Sequence, residues 1–138
     1  MADIPRVPAR VNVLLDSHAF VWYLVHDERL PEWIFDLLED RATRVTVSVA
    51  SLWELMTKAL AGRLRLPTEP ASFLIDVPLE AGFRLLDVQP RHVAMLSELP
   101  QIHGDPFDRM LIAQALVEDL DLVTGDETLR SYPIRTLW

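Results

Sequence analysis

Residues 11–16 read VNVLLD, a β-branched and almost wholly apolar run that meets an aspartate at its end. A run with so little polar alternation predicts a strand buried on both faces, as in a parallel sheet. Further apolar runs predict a second strand at residues 44–49, a third at 83–86, a fourth at 120–124 and a short fifth at 134–137. The chain therefore contains the strands of a single buried sheet.

Helical patterns fall between these predicted strands. The predicted helices are His18–Val25, a segment that begins at Pro31, a segment from Val49 that ends at Gly62, Pro70–Ala81 with Pro78 ending or kinking it, Pro90–Leu99, and an amphipathic helix from Pro106. Strands that alternate with helices indicate βαβ units, and hence an α/β fold with a mainly parallel sheet covered on both faces. Ligands of such folds bind beyond the carboxyl ends of the strands, at a topological switch point.

The length and composition indicate one globular domain. The chain has 138 residues, of which half are apolar and a quarter are charged. Residues 1–10 contain two prolines and no apolar segment, so we interpret them as a flexible leader that precedes a domain at 11–138. The sequence lacks an apolar run of roughly 18 residues that would span a membrane. It has no cysteine, which excludes disulfides and thiolate metal sites and fits a cytoplasmic location.

The net charge of −8 disfavours a protein that holds nucleic acid by a broad basic face, because polyanion affinity comes chiefly from Lys and Arg. Carboxylates that hold cations reverse the local sign of the charge, so an acidic protein can still act on RNA. The simpler alternative is that most of the acids keep the surface soluble, and composition alone slightly favours it. The best local basic patch is Lys58, Arg63 and Arg65, which a solvated helix end explains equally well.

Five acidic residues fall at the ends of predicted strands or near the starts of predicted helices. Asp16 follows the first strand, and Asp126 follows the fourth. Asp105 and Asp108 open the helix at Pro106, and Glu54 lies about two turns into the helix after the second strand. In a parallel sheet these ends share one edge, so we expect the five carboxylates to converge there.

Each of these acids also has a purely structural interpretation. The aspartates suit helix caps or turns, and Glu54 suits an ion pair with Lys58 four residues later. Taken singly, these interpretations are the stronger ones. Several carboxylates at one edge repel one another, however, and a hard divalent cation such as Mg²⁺ or Mn²⁺ relieves that repulsion. Such ions activate water, orient a phosphate and stabilise a leaving oxygen.

The histidines are less informative. We interpret His18 as a partly buried, hydrogen-bonded residue in preference to a ligand, whereas for His103 the two interpretations are balanced. The chain has no glycine-rich phosphate loop, no HExxH motif, no cysteine nucleophile and no serine in a G-x-S-x-G setting.

Four motifs occur in a characteristic order: VLLDSH at 13–18, SVASLWEL at 48–55, HGDPFDRMLIAQA at 103–115 and LVTGD at 122–126. In these motifs the chain, from about Val11 to Trp138, closely resembles the PIN-domain family, in particular the VapC-like toxins of bacterial type II toxin–antitoxin systems. The resemblance implies a three-layer α/β/α sandwich and an endoribonuclease that depends on Mg²⁺ or Mn²⁺. It also implies an RNA substrate, a cognate VapB-like antitoxin that blocks the site, and a homodimer.

The resemblance also assigns roles to individual residues. The acidic quartet that matches the family's catalytic, metal-binding set is Asp16, Glu54, Asp108 and Asp126. The accessory positions beside it are Asp105, Thr124 and His103. Ser17 stands where the family leads us to expect threonine, which preserves the hydroxyl group.

Two other functional classes remain open from the residues. A receiver-like signalling module requires a lysine at the end of the fifth strand; Asp87 would suit one of its acidic positions, but Lys58 is the only lysine in the chain. A catalytically idle PIN-like binding protein is the other class. Metal binding followed by an RNA-cleavage assay separates these possibilities.

Overall fold

The computed structural model describes residues 11–138 and contains one five-stranded sheet. The predicted leader at 1–10 lies outside the described residues. The strands are β1 (Val11–Leu15), β2 (Thr43–Ser48), β3 (Arg84–Leu86), β4 (Asp121–Val123) and β5 (Thr136–Leu137). All four strand pairings are parallel, so the predicted α/β class is confirmed, and the sheet is parallel throughout the described residues.

Helices connect the strands in the alternation that the sequence predicts. They are α1 (Ser17–Leu24), α2 (Glu32–Glu39), α3 (Val49–Leu60), α4 (Val77–Glu80), α5 (Pro90–Met95), α6 (Pro106–Glu118) and α7 (Glu127–Arg130). A short 3₁₀ turn, Leu96–Glu98, follows α5. Within residues 11–138, none of the helices has both the length and the apolar character needed to cross a membrane.

The strand order is β3-β2-β1-β4-β5. β1 therefore lies at the centre of the sheet. From β1 the chain moves outward through β2 to β3, and then returns to the other side of β1 for β4 and β5. This reversal makes the gap between β1 and β4 the topological switch point. The carboxyl ends of these two strands border the crevice in which folds of this class bind their ligands.

Alternate residues of β1 show how both faces of the sheet are buried. Val13 and Leu15 pack into one apolar cluster with α1, α2 and α3, whereas Leu14 packs into a second cluster formed largely by α6. All three side chains are fully buried. Helices therefore cover both faces, and the three-layer α/β/α sandwich implied by the sequence motifs is confirmed.

The segment predicted as one helix at Pro70–Ala81 changes its helix type midway. A π-helical turn covers Ser72–Asp76, closed by a hydrogen bond from the Val77 N–H to the Ser72 carbonyl, and α4 follows. Pro78 does not end the helical segment. The wider turn precedes the proline, which has no N–H with which to continue the regular α-helical pattern.

Other differences concern element ends. The strands β3, β4 and β5 are each shorter than predicted, and Val49, predicted as the end of a strand, is the first residue of α3. Pro31 caps α2 and does not occupy its first turn. The four-residue helix α7 was not predicted, because so short a segment has too few residues to show a helical period.

Candidate active site

The ends of β1 and β4 bring acidic side chains from distant parts of the chain to one cavity. The Asp16 N–H donates to the Val123 carbonyl at 3.1 Å, which fixes the turn after β1 against the end of β4. The cavity has a volume of about 210 Å³. Its lining residues are Asp16, Ser17, His18, Glu54, Lys58, Asp105, Asp108 and Asp126. All four residues of the predicted quartet, together with Asp105, therefore line one cavity.

Asp16 is almost fully buried at the start of α1. Its carboxylate accepts a hydrogen bond from the Ala19 N–H at 2.7 Å, so it caps the helix as the structural interpretation predicts. Burial raises the pKa of Asp16, and the charge of Asp126 adds to the rise. Hydrogen bonds from Thr124 and Ala19, and the charge of His18, act against it. The Asp16 side chain thus caps α1 and also lines the cavity.

Asp105 and Asp108 stand in the first turn of α6, with Pro106 opening the helix. Asp105 accepts a hydrogen bond from the Asp108 N–H at 3.0 Å and caps α6. Burial and the charge of Asp105 raise the pKa of Asp108 to about 6, with a further contribution from Glu54, although the contact with His103 lowers it. A carboxyl group that costs this much to ionise is one that a nearby cation would stabilise.

His103 has partners at both ring nitrogens. Its Nδ1 lies 2.7 Å from the Tyr132 hydroxyl, and its Nε2 lies 3.3 Å from Asp108. The Tyr132 hydroxyl already accepts a hydrogen bond from Arg109 at 3.1 Å. Its own proton is therefore available to Nδ1, and Nε2 faces Asp108. In this arrangement His103 orients Asp108.

Tyr132 is a site residue that sequence reasoning missed. It is 3% exposed and lies in the turn after α7. Because Tyr132 belongs neither to a predicted strand end nor to one of the four motifs, no signal in the sequence pointed to it.

Glu54 reaches the cavity from α3. It accepts hydrogen bonds from the Ser17 hydroxyl and, at 3.3 Å, from Lys58. The predicted ion pair with Lys58 therefore exists, and Lys58 also lines the cavity. Arg63 and Arg65, the rest of the predicted basic patch, are exposed in the segment after α3 and are not among the residues that line the cavity.

Asp126 is the most exposed member of the quartet. It caps α7 by accepting a hydrogen bond from the Thr128 N–H at 2.9 Å, and its own N–H donates to the Thr124 hydroxyl at 3.0 Å. Thr124 is fully buried, and its side chain also acts on Asp16, whose pKa it lowers. One hydroxyl group thus connects the two acids that follow β1 and β4.

The interpretation of His18 as partly buried is wrong. Its side chain is exposed, because the first turn of α1 directs it toward solvent, and its ring stacks on that of Trp22 at a centroid distance of 5.4 Å. Residues four apart on a helix lie on the same face, which explains the pairing.

The chemistry of the cavity suits a hydrated hard cation. Among residues 11–138, no three Asp, Glu or His side chains lie close enough to hold an ion jointly. Magnesium, however, keeps several of its waters and is commonly held by one or two carboxylates together with substrate phosphate. Five of the eight lining residues supply carboxylate oxygens, and the pKa values of two of these residues, Asp16 and Asp108, are raised by burial and neighbouring negative charge. The residues present therefore fit such an ion.

Comparison with known proteins gives consistent matches. Residues 13–134 match the PIN domain family. Ribonuclease VapC22 of Mycobacterium tuberculosis is 33% identical over 122 residues, which cover 88% of this chain and 92% of that protein.

Two solved structures share the fold. One is a chain of VapBC2 from Rickettsia felis, in a structure bound to a DNA fragment from the VapBC2 promoter. It superposes with a TM-score of 0.69 at 16% identity, and the match covers 93% of this chain and 99% of that chain. A chain of FitAB, bound to a DNA fragment, superposes with a TM-score of 0.63 at 16% identity, covering 91% and 93%. The family match spans most of the chain, from the second half of β1 to the segment before β5, and on this evidence the chain belongs to the PIN domain family.

Proposed function

We propose that this protein is an endoribonuclease, dependent on Mg²⁺ or Mn²⁺, that acts as the toxin of a type II toxin–antitoxin pair. The observation that carries the proposal is the single cavity lined by Asp16, Glu54, Asp105, Asp108 and Asp126, which come from four separate parts of the chain. The relative at 33% identity is named a ribonuclease, which supports the same activity here. Membership of the PIN domain family disfavours the receiver-like alternative.

The charge of the cavity determines how an RNA phosphate would bind. Five carboxylates repel a phosphodiester, and among residues 11–138 the one lysine or arginine on the wall is Lys58, which is already paired with Glu54. A divalent cation, when bound, neutralises that repulsion, lowers the pKa of a water molecule and polarises the phosphate. We assign direct or water-mediated contact with the cation to Asp16, Glu54, Asp108 and Asp126.

The remaining residues fix these carboxylates in position. Thr124 holds Asp16, Ser17 holds Glu54, and His103 holds Asp108. Asp105 caps α6 and adds negative charge beside Asp108, so its role is accessory. Residues that orient metal ligands in this way typically affect metal affinity or activity by about 10–100-fold when they are replaced.

A protein partner is the second part of the proposal. The two structural neighbours are chains of VapBC2 and FitAB, both bound to DNA, which favours a VapB-like antitoxin for this chain. On α3, Trp53 and Leu60 are 66% and 77% exposed, and apolar side chains this exposed are typical of a protein-binding surface. We propose that this chain also forms a homodimer, and that it acts in the cytoplasm.

Cleavage of RNA by the purified full chain tests the enzymatic proposal. We expect single-stranded RNA to be cut with Mg²⁺ or Mn²⁺ and left intact with EDTA. Asp16→Asn and Asp108→Asn should abolish cleavage while leaving the fold unchanged, because asparagine keeps the helix-capping oxygen at position 16 and the size of the side chain at both positions. Asp40→Asn is the matched control: Asp40 also accepts a backbone N–H, from Ala42 at 2.8 Å, but it precedes β2 at the opposite edge of the sheet.

One outcome would contradict the assignment of the acids, and another would reject the enzymatic proposal. Metal-dependent cleavage that survives in both variants would disprove the assignment of the acids. A wild-type chain that binds Mg²⁺ and the antitoxin but never cuts RNA would favour the catalytically idle binding protein. The toxin role is tested separately by growth arrest on expression and its relief when an antitoxin encoded next to the gene is co-expressed.

A further inference from the structure

A second cavity adjoins the acidic one. It has a volume of about 280 Å³, and its lining residues are Asp16, His18, Trp22, Gly125, Asp126 and Trp138. Three of these, Asp16, His18 and Asp126, also line the acidic cavity. The two cavities therefore share a wall, and anything that occupies the second one lies beside the proposed cleavage site.

The far wall of this second cavity is aromatic. The His18 ring stacks on Trp22 with an interplanar angle of 22°, and Trp138 meets Trp22 edge-on at a centroid distance of 5.7 Å. His18 is exposed and lines both cavities, so one face of its ring packs on Trp22 and the other is open. The cavity thus has open π surfaces next to a group of carboxylates.

Gly125 makes room for the Trp138 ring. A Cβ atom at position 125 would lie 2.8 Å from the Cε2 atom of Trp138, which is closer than van der Waals contact allows. Arg130 donates a hydrogen bond to the Trp138 carbonyl and holds the residue in place. The absence of a side chain at position 125 is therefore what permits the indole ring to form this wall.

We propose that the aromatic cavity binds an unpaired nucleobase of the RNA, adjacent to the phosphodiester in the acidic cavity. This inference rests on the proposed ribonuclease function. Bases of single strands stack on aromatic side chains, and this contact needs no cationic residue. A protein with a net charge of −8 gains affinity for RNA in this way without a basic surface.

The acids on the shared wall favour a base over other occupants. Asp16 and Asp126 repel a second phosphate or an acidic peptide, but carboxylates accept hydrogen bonds from the amino and imino groups of bases. A duplex keeps those groups paired and its bases stacked. The preferred ligand is therefore a single strand with an accessible base beside the scissile phosphate.

Binding measurements on the full chain test this assignment. The probes are a fluorescein-labelled single-stranded RNA oligonucleotide and the same strand with abasic nucleotides, both in Ca²⁺ buffer and checked on a gel to be intact. We expect the wild type to prefer the strand with bases. His18→Ala and Trp138→Leu should each weaken binding to that strand about tenfold, in the range that loss of base–aromatic stacking produces, and should leave binding to the abasic strand unchanged.

Trp33→Ala is the matched control, because Trp33 is a 55% exposed tryptophan on α2 that lines neither cavity. Its affinity for RNA should equal that of the wild type. His18 is exposed and its removal leaves no gap in the core, so His18→Ala decides the question if Trp138→Leu does not fold.

Three results would overturn the inference: unchanged affinity in the His18→Ala variant, equal losses on the base-bearing and abasic strands, or weakened binding of the antitoxin with RNA affinity intact. The last result would assign the cavity to the protein partner. Cleavage of RNA by the wild type is measured in parallel with Mg²⁺. A wild type that cuts RNA, with variants of unchanged affinity, refutes the base cavity alone, whereas a wild type that cuts nothing refutes the ribonuclease proposal.

Discussion

The acidic residues at the two edges of the sheet differ in their ion pairing and in the direction of their pKa shifts. At the amino-terminal edge, Arg135 donates to Asp121 at 2.5 Å and to Asp119 at 2.9 Å. Asp27, beyond the end of α1, is paired with Arg29 at 2.7 Å, and hydrogen bonds from Arg29 lower its pKa to about 2. These carboxylates are exposed or partly exposed and are matched with arginines.

At the carboxyl-terminal edge, burial and the repulsion between carboxylates raise pKa values. The pKa values of Asp16 and Asp108 are raised, and no arginine from residues 11–138 lines the acidic cavity. A larger cavity, of about 490 Å³, lies at the amino-terminal edge, where Arg41 and Arg44 accompany Glu39 and Asp40. Cavity size therefore does not single out the proposed active site. The excess of negative charge does, because carboxylates packed together are stabilised by protons or by cations from outside the chain.

The largest effect should come from neutralising the acids of the carboxyl-terminal edge. We expect Glu54→Gln and Asp126→Asn each to reduce the rate of RNA cleavage on the order of 100-fold. Each removes a carboxylate that we propose holds the cation, and so about 3 kcal/mol of transition-state stabilisation. Asp121→Asn, at the amino-terminal edge, should change the rate less than about twofold. Single-turnover measurements would give the cleavage rates of the variants at the two edges. Equal losses of rate at both edges would contradict this prediction.

Stability should respond in the opposite sense at the two edges. Asp108 has a raised pKa, so the folded chain binds its proton more tightly than the unfolded chain. The resulting loss of stability grows as the pH rises above about 4 and is complete above about pH 6. In EDTA near neutral pH, Asp108→Asn should therefore stabilise the chain by about 1–3 kcal/mol. The gain should vanish below about pH 4, where the aspartate is protonated in both states.

Asp27→Asn provides the opposite case. Its pKa is lowered, so the ionised form contributes stability above the unfolded pKa, and that contribution disappears as the pH falls toward 2. We therefore expect Asp27→Asn to lower the melting temperature at neutral pH. A fall in melting temperature for Asp108→Asn as well would show that the two edges do not differ.

The pH dependence of cleavage should report the charge of Asp108. If the ionised form is needed, a pKa of about 6 predicts a roughly tenfold decrease in rate between about pH 7 and about pH 5. Higher Mg²⁺ concentrations should shift the decrease to lower pH, because a bound cation favours the ionised carboxylate. A cleavage rate that does not change over this pH range would argue against an essential carboxyl group with a raised pKa.

The smallest effects should come from the basic residues near the cavity. Lys58→Gln should lower RNA affinity by a few-fold and reduce the salt dependence of binding by about one counterion. Arg63→Gln and Arg65→Gln, farther from the cavity, should have weaker effects. Titrations at several salt concentrations measure all three, and equal effects would indicate that the whole predicted patch binds RNA.

The sequence alone determined the fold class and the acids that meet. Apolar runs such as residues 11–15 have to be buried on both faces, and strands of that kind require a parallel sheet with helices on each side. Because parallel strands share a carboxyl edge, Asp16 and Asp126 were predicted to converge from opposite ends of the chain. The same argument predicted that Glu54, Asp105 and Asp108 join them, and the resemblance to the PIN-domain family then selected Glu54 and Asp108 for the quartet.

Only the tertiary structure decided how these groups behave. The contact of Tyr132 with His103 and the aromatic wall that Trp22 and Trp138 form both depend on residues distant in sequence. The raised pKa of Asp108 likewise comes from burial and from charges that other segments bring near it. Local patterns report which face of an element is buried, whereas desolvation and charge–charge interactions depend on everything that surrounds a group in space.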